Sequence, residues 1–203
     1  MIEGLGPDFS KNKGSQLFSE PLLEDKACKL FNKSQGCIRE DDYQDLIDGI
    51  NIMNRETINE VSYLMNNSSV VKLYSCKDYE NILKTFCDRL LKMGIDAAFY
   101  DIDEGKNTDK IHLNDLAIVN TFKSKKDLCD RILAIAREKY AKTVSINQEN
   151  TTNENADYNI YTFNLREKND SKVVESVLDC LSFAAFTNKI ADSESYNSNK
   201  LLN

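Results

Sequence analysis

Between Val70 and Ile102 the apolar positions change their period twice. Val70–Tyr74 is a short β-branched and aromatic run. Ile82, Leu83, Phe86, Leu90 and Leu91 then recur at helical spacing, Gly94 ends that segment, and Ala97–Ile102 is a second apolar run. The pattern predicts strand, helix, glycine stop and strand. Ser75-Cys76-Lys77-Asp78 has the form of a capping box with Asp in place of Glu, opening the helix near Tyr79. Further on, Asp115–Phe122 predicts a third strand. Ser124 and Asp127 repeat the cap signature before a helix to about Lys142, with Leu128, Ile132, Ile135 and Ala136 on its apolar face. Tyr158–Leu165 predicts a fourth strand. A last helix, about Ser171–Thr187, offers Val174, Val177, Leu178, Leu181 and Ala185 to a core.

Upstream, the spacing predicts three helices at about Pro21–Lys33, Asp41–Met53 and Arg55–Met65. Pro21 opens the first, Asp41 and Asp42 lie in the first turn of the second, and Asn54 caps the third. The expected fold is α/β or α+β: a small three- to four-stranded mixed sheet covered by helices and preceded by about three helices. Residues 1–19 and 191–203 lack apolar periodicity and are expected as a disordered lead-in and tail, leaving one globular domain over 20–190. Residues 146–157, within an Asn-, Thr- and Glu-rich stretch, are expected as a flexible loop.

The chain has 203 residues, 41% of them hydrophobic, enough for one domain with its own core. Its formal net charge of −7 repels phosphate backbones and disfavours general nucleic-acid binding. A local basic group, Lys123, Lys125, Lys126 and Arg131, is interrupted by Asp127 and Asp130 and reads as a solvated helix start. The six cysteines form no CxxC pair, and the polar N-terminal stretch is no signal peptide. An intracellular location, cytoplasmic or nuclear, with reduced thiols is therefore expected. No run is long enough to span a bilayer, so membrane insertion is not expected.

Among chemical motifs, the acidic stretch after the second strand comes first. Asp101, Asp103 and Asp109 are candidate ligands for a hard cation such as magnesium, since strand ends can aim carboxylates at one point. An EF-hand fails on spacing: Lys106 stands where glycine is required and His112 where glutamate is. Asp96, Asp101, Asp103, Glu104 and Lys106 together could serve a metal-dependent hydrolase, with lysine steadying the developing anion. His112 is the sole histidine, so any Ser-His-Asp or Cys-His mechanism would depend on it, and no GxSxG elbow is present. Both common phosphate loops, GxxxxGK[S/T] and GxGxxG, are absent, and the cysteine and histidine spacing does not suit zinc.

Two resemblances arise. Cys76, between a strand and a helix, occupies the place where thioredoxin-like and glutaredoxin-like proteins carry a redox thiol, which implies a depressed thiol pKa. Tyr79 stands where a dithiol motif needs cysteine, and no proline opens the third strand. Residues 46–120, through Leu46-Ile47, Arg55, Ile58, Val61 and the run Lys92–Ala98, look like a plant family of unknown function related to the PD-(D/E)xK nuclease fold. That family's acidic strand is not visible here, and Gly105 puts Glu104-Gly105-Lys106 in a turn. The expectation is a non-enzymatic intracellular interaction or regulatory protein of unknown process, with another protein as partner and no cofactor. The metal-dependent hydrolase or nuclease and the Cys76 redox protein are the alternatives.

Overall fold

The computed structural model describes residues 40–103, 110–148, 152–162, 165 and 169–200. In chain order they form α1 (Glu40–Ile52), α2 (Arg55–Asn67), β1 (Val71–Ser75), a 3₁₀ turn (Lys77–Tyr79), α3 (Glu80–Lys92), β2 (Ala97–Asp101), β3 (Leu116–Asn120), α4 (Lys126–Glu138), β4 (Lys142–Asn147), β5 (Tyr158–Tyr161) and α5 (Asp170–Lys200). The helix expected at 21–33 and the lead-in at 1–19 lie outside the described residues.

The sheet has five strands in the order β2-β1-β3-β4-β5, and every neighbouring pair is parallel. This corrects the expected three- to four-stranded mixed sheet. The missing strand is β4. Four of the six residues in its sequence, Lys-Thr-Val-Ser-Ile-Asn, are polar, and the preceding helix pattern runs on to Lys142. Yet Thr143, Ser145 and Asn147 are all buried. Thr143 Oγ1 and N donate to Asp157 Oδ2, Ser145 Oγ donates to Asn147 Oδ1, and Asn147 Nδ2 donates to Asn159 Oδ1. Hydrogen bonding makes burial of this polar row tolerable, where a hydropathy pattern reads loop.

Register fixes the two faces of the sheet. Leu73, Ile118, Val144 and Ile160 lie on one face; Lys72, Ala117, Thr143 and their alternate neighbours lie on the other. The apolar face belongs to a layer in which α5 packs on α1, α2 and α3. Parallel strands joined by a crossover take a right-handed path. The step from β1 to β2 runs one way and that from β3 to β4 the other, which puts α3 and α4 on opposite faces. The connections 102–115 and 148–157 share the side of α4, and among their described residues neither contains an α-helix.

Local details follow from residue chemistry. Asn54 caps α2 as expected, its Oδ1 accepting from Glu56 N and Thr57 N. Gly94 ends α3 at φ +70°, a conformation a side chain rarely adopts. Gly49 lets α1 approach α5: a Cβ there would sit 3.0 Å from Cys180 Sγ. The two capping boxes are not formed. Cys76 makes no side-chain cap bond, and the residue preceding α4 is Lys125, not Ser124. The last helix continues beyond Thr187 to Lys200. Across the sheet, Lys72 is buried on β1 and pairs with Asp115 at 2.6 Å, while its Nζ also donates to Lys110 O. That buried ion pair secures the end of the connection that leads into β3. No described helix is long and apolar enough to cross a membrane.

Candidate functional site

Because all strands are parallel, their carboxyl ends share one edge, and the order reverses between β1 and β3. Open parallel sheets bind ligands at such an edge, beside the reversal. The residues there are Ser75, Cys76 and Tyr79 from the first unit and Asn120–Ser124 from the third.

The gap between β1 and β3 is filled by the chain itself. Asn120 Nδ2 donates to Ser75 Oγ at 2.9 Å, and Asn120 Oδ1 accepts from Phe122 N at 3.3 Å. This folds Phe122 inward against Tyr79, with ring centroids 6.4 Å apart in an edge-to-face contact. Cys76 Sγ donates to Phe122 O across 3.6 Å. Phe122 and Tyr79 are fully buried and Cys76 nearly so. Burial, reinforced by the Asp170, Cys76 and Asp78 charges, pushes the Tyr79 hydroxyl up to about 12. Lys123 follows in left-handed backbone at φ 54°, unusual for a side-chain-bearing residue. Its Nζ lies 5.9 Å above the Tyr79 ring and 3.6 Å from Asp78.

Open space lies one strand further along. A cleft of about 670 Å³ sits beyond β3 and β4, bounded by Thr121, Ser124, Lys126, Asp130, Asn147, Gln148 and the 152–155 segment. The first turn of α4 forms one wall. Lys125 precedes that helix in extended conformation and supplies no side-chain cap. Leu128 N and Cys129 N both reach Lys125 O, while the amides of Lys126 and Asp127 precede the first intrahelical acceptor. Lys126 brings an exposed ammonium to the same wall. First-turn amides without an intrahelical acceptor, the positive end of the helix dipole and a lysine make an environment suited to an anionic group.

The opposite wall is a hydrogen-bonded segment. Asn153 N donates to Asn159 Oδ1 at 2.8 Å, Asn159 Nδ2 donates to Asn153 O, and Asn153 Nδ2 donates to Asp130 Oδ1 at 2.7 Å. Among the described residues, Asp130 and Glu154 are the carboxylates that line the cleft. Cys129 lies behind them, its thiol pushed up to about 12 by burial and the nearby Asp130 charge.

The residues singled out in the sequence are scattered. Asp101 ends β2, its Oδ1 accepting from Asp103 N at 2.9 Å, and Asp103 is exposed. Asp96 and His112 lie at the opposite, amino-terminal edge of the sheet, with His112 N donating to Asp115 Oδ2. Glu104, Lys106 and Asp109 lie outside the described residues. Among the described residues no three His, Cys, Asp or Glu side chains come together as a metal site. Cys76 is buried, and its thiol is directed to a carbonyl. The sequence assigns no binding role to Thr121, in the expected third strand, or to Asn147 and Asn153, in the expected loop. It did register Lys126 and Asp130, but as a solvated helix start.

Neither a family model nor a curated protein matches the sequence. Solved structures do match the fold. The sugar isomerase domain of an RpiR transcription factor from Sphaerobacter thermophilus aligns with 75% of this chain and 94% of its own, at 16% identity and a TM-score of 0.54. A hypothetical protein from Methanococcus jannaschii, inferred to be a 3-hexulose-6-phosphate isomerase, aligns over 74% and 92% at 14% identity, with a TM-score of 0.55. The Vibrio vulnificus NanR protein complexed with ManNAc-6P aligns over 92% and 67% at 13% identity, with a TM-score of 0.50. The fold is thus similar to that of sugar isomerase domains. This likeness overturns the expected non-enzymatic interaction protein of unknown process. Among the described residues the candidate carboxylates do not come together as a metal site, and the Cys76 thiol is buried.

Proposed function

We propose that this chain binds a phosphorylated sugar in the cleft beyond β3 and β4. The observation that carries the reading is the start of α4: an uncapped helix terminus and Lys126 open onto a polar cleft at the carboxyl edge of a parallel sheet. The phosphate sits against the Lys126 and Asp127 amides and the Lys126 ammonium. The sugar lies along Thr121, Asn147 and the 152–155 segment. The fold is shared with a domain named for sugar isomerases and with a protein complexed with ManNAc-6P, which supports a phosphosugar over other anions. Any proton transfer in the bound sugar would fall to a cleft carboxylate, since His112 is at the far edge of the sheet.

Calorimetric titration with a panel of aldose and ketose 6-phosphates tests the reading. At least one binds with micromolar to millimolar affinity, and Lys126→Glu weakens it by about tenfold or more. A panel that gives no binding at about 10 mM, a concentration that would reveal even a weak complex, overturns it.

A further inference from the structure

The hydrogen bonds around the cleft have a consistent direction. Thr121 Oγ1 donates to Ile146 O at 2.9 Å, and Ser124 Oγ donates to Asn120 O at 3.2 Å. Asn147 Nδ2 donates to Asn159 Oδ1 at 2.9 Å, and Asn153 Nδ2 donates to Asp130 Oδ1 at 2.7 Å. These side chains direct their protons at protein acceptors, so the hydroxyls of Thr121 and Ser124 show a ligand mainly lone pairs. Asp130 goes further in the same sense. Among the described residues, Oδ1 receives one hydrogen bond from Asn153, and no hydrogen bond or ion pair engages Oδ2. The carboxylate is held from one side on α4, one helical turn beyond Lys126, and lines the same cleft. The donors suited to an anion lie at the helix start; beyond them the wall is an acceptor surface.

We infer that Asp130 is the residue that selects the sugar half of the ligand, accepting hydrogen bonds from its hydroxyl or amino groups while the phosphate is held at the start of α4. The inference rests on the phosphosugar reading and assigns it a division of labour. Phosphate supplies attachment, and Asp130 supplies discrimination by the donors the sugar presents. A carboxylate accepting from a sugar donor makes a charge-assisted bond, which an amide replaces poorly. Asn153 is a positioning residue, acting through its bond to Asp130 Oδ1.

The experiment compares the parent protein with Asp130→Asn and Asn153→Ala, using inorganic phosphate and the tightest-binding hexose 6-phosphate of the panel. Asp130→Asn is expected to lower affinity for the hexose phosphate about tenfold while affinity for inorganic phosphate is unchanged or rises, because a nearby negative charge is gone. Asn153→Ala is expected to give a smaller loss for the sugar phosphate alone. Retained phosphate affinity shows in the same titration that the fold is intact. Equal affinity of Asp130→Asn and parent for the hexose phosphate overturns the inference and leaves the phosphosugar reading standing. A parallel fall for both ligands also overturns it, since Asp130 would then act structurally. A parent protein that binds no sugar phosphate removes both readings.

Discussion

The Tyr79 hydroxyl is buried at the strand reversal and finds no hydrogen-bond partner among the described residues. A buried donor without a partner costs about 1–3 kcal/mol relative to a hydrated one, so removing it relieves the fold. Tyr79→Phe keeps the ring against Phe122 and is expected to raise stability by about 1 kcal/mol in urea denaturation. The buried thiols make stability depend on pH. Cys129 and Cys180 have folded pKa values pushed by burial to about 12, above the value for an ordinary thiol. The native state therefore keeps protons that the unfolded chain releases above about pH 9. Their contribution is intact below that pH and declines as pH climbs toward 12. Replacing Cys129 by Ala costs stability at neutral pH through lost packing. It should nevertheless make stability fall less steeply than the parent's between about pH 9 and pH 11, by up to about 1.4 kcal/mol per pH unit.

At the scale of elements, the start of α4 sets a trade between stability and binding. Lys125 has the extended backbone of a capping position without a capping side chain. Lys125→Asp would satisfy one first-turn amide internally and stabilise the helix by about 1 kcal/mol. It would also put a competing carboxylate where the phosphate is proposed to sit, so the variant should melt higher and bind hexose phosphates more weakly. The buried Lys72–Asp115 pair between β1 and the entry to β3 carries a separate expectation. Asp115→Ala strands a buried ammonium and should cost about 3–5 kcal/mol, whereas Lys72→Met combined with Asp115→Ala should cost markedly less. Both are read by chemical denaturation. Elements with one clear period were legible from the chain. The strand at 71–75, the helix at 80–92 with its stop at Gly94, and the runs at 97–101 and 116–120 lie close to the positions their spacing implies. β4 was not legible, because its polar row is satisfied by Asp157 and Asn159, residues beyond the strand itself. Nor was the direction of pairing, since a buried strand carries the same apolar run whichever way its neighbour points. The cleft was hidden for a related reason. Thr121, Asn147 and Asn153 carry no binding signature of their own until the crossover brings their segments to one edge.

Across the whole molecule, burial falls from the middle of the sheet outward. β1 and β3 are buried at every position, whereas β2, at the edge, is half-buried throughout. Amide hydrogen exchange should therefore be slowest in 71–75 and 116–120 and faster by at least about tenfold in 97–101. The formal net charge of −7 stands against the local basicity of the α4 start. A phosphate ligand must approach an acidic body to reach a small positive patch, so hexose-phosphate association should not gain the steering that a uniformly basic surface gives.

The two sides of the sheet are also unequal mechanically. Behind it, four helices interlock through apolar side chains, and shifting any of them would open voids that nothing refills. In front, among the described residues, stand one helix and two connections without an α-helix, one of them attached through amide and carboxylate pairs that water or a guest molecule can replace at small cost. Breathing of this protein should thus be one-sided: a stiff back plate, and a front whose grip can be exchanged for that of whatever enters.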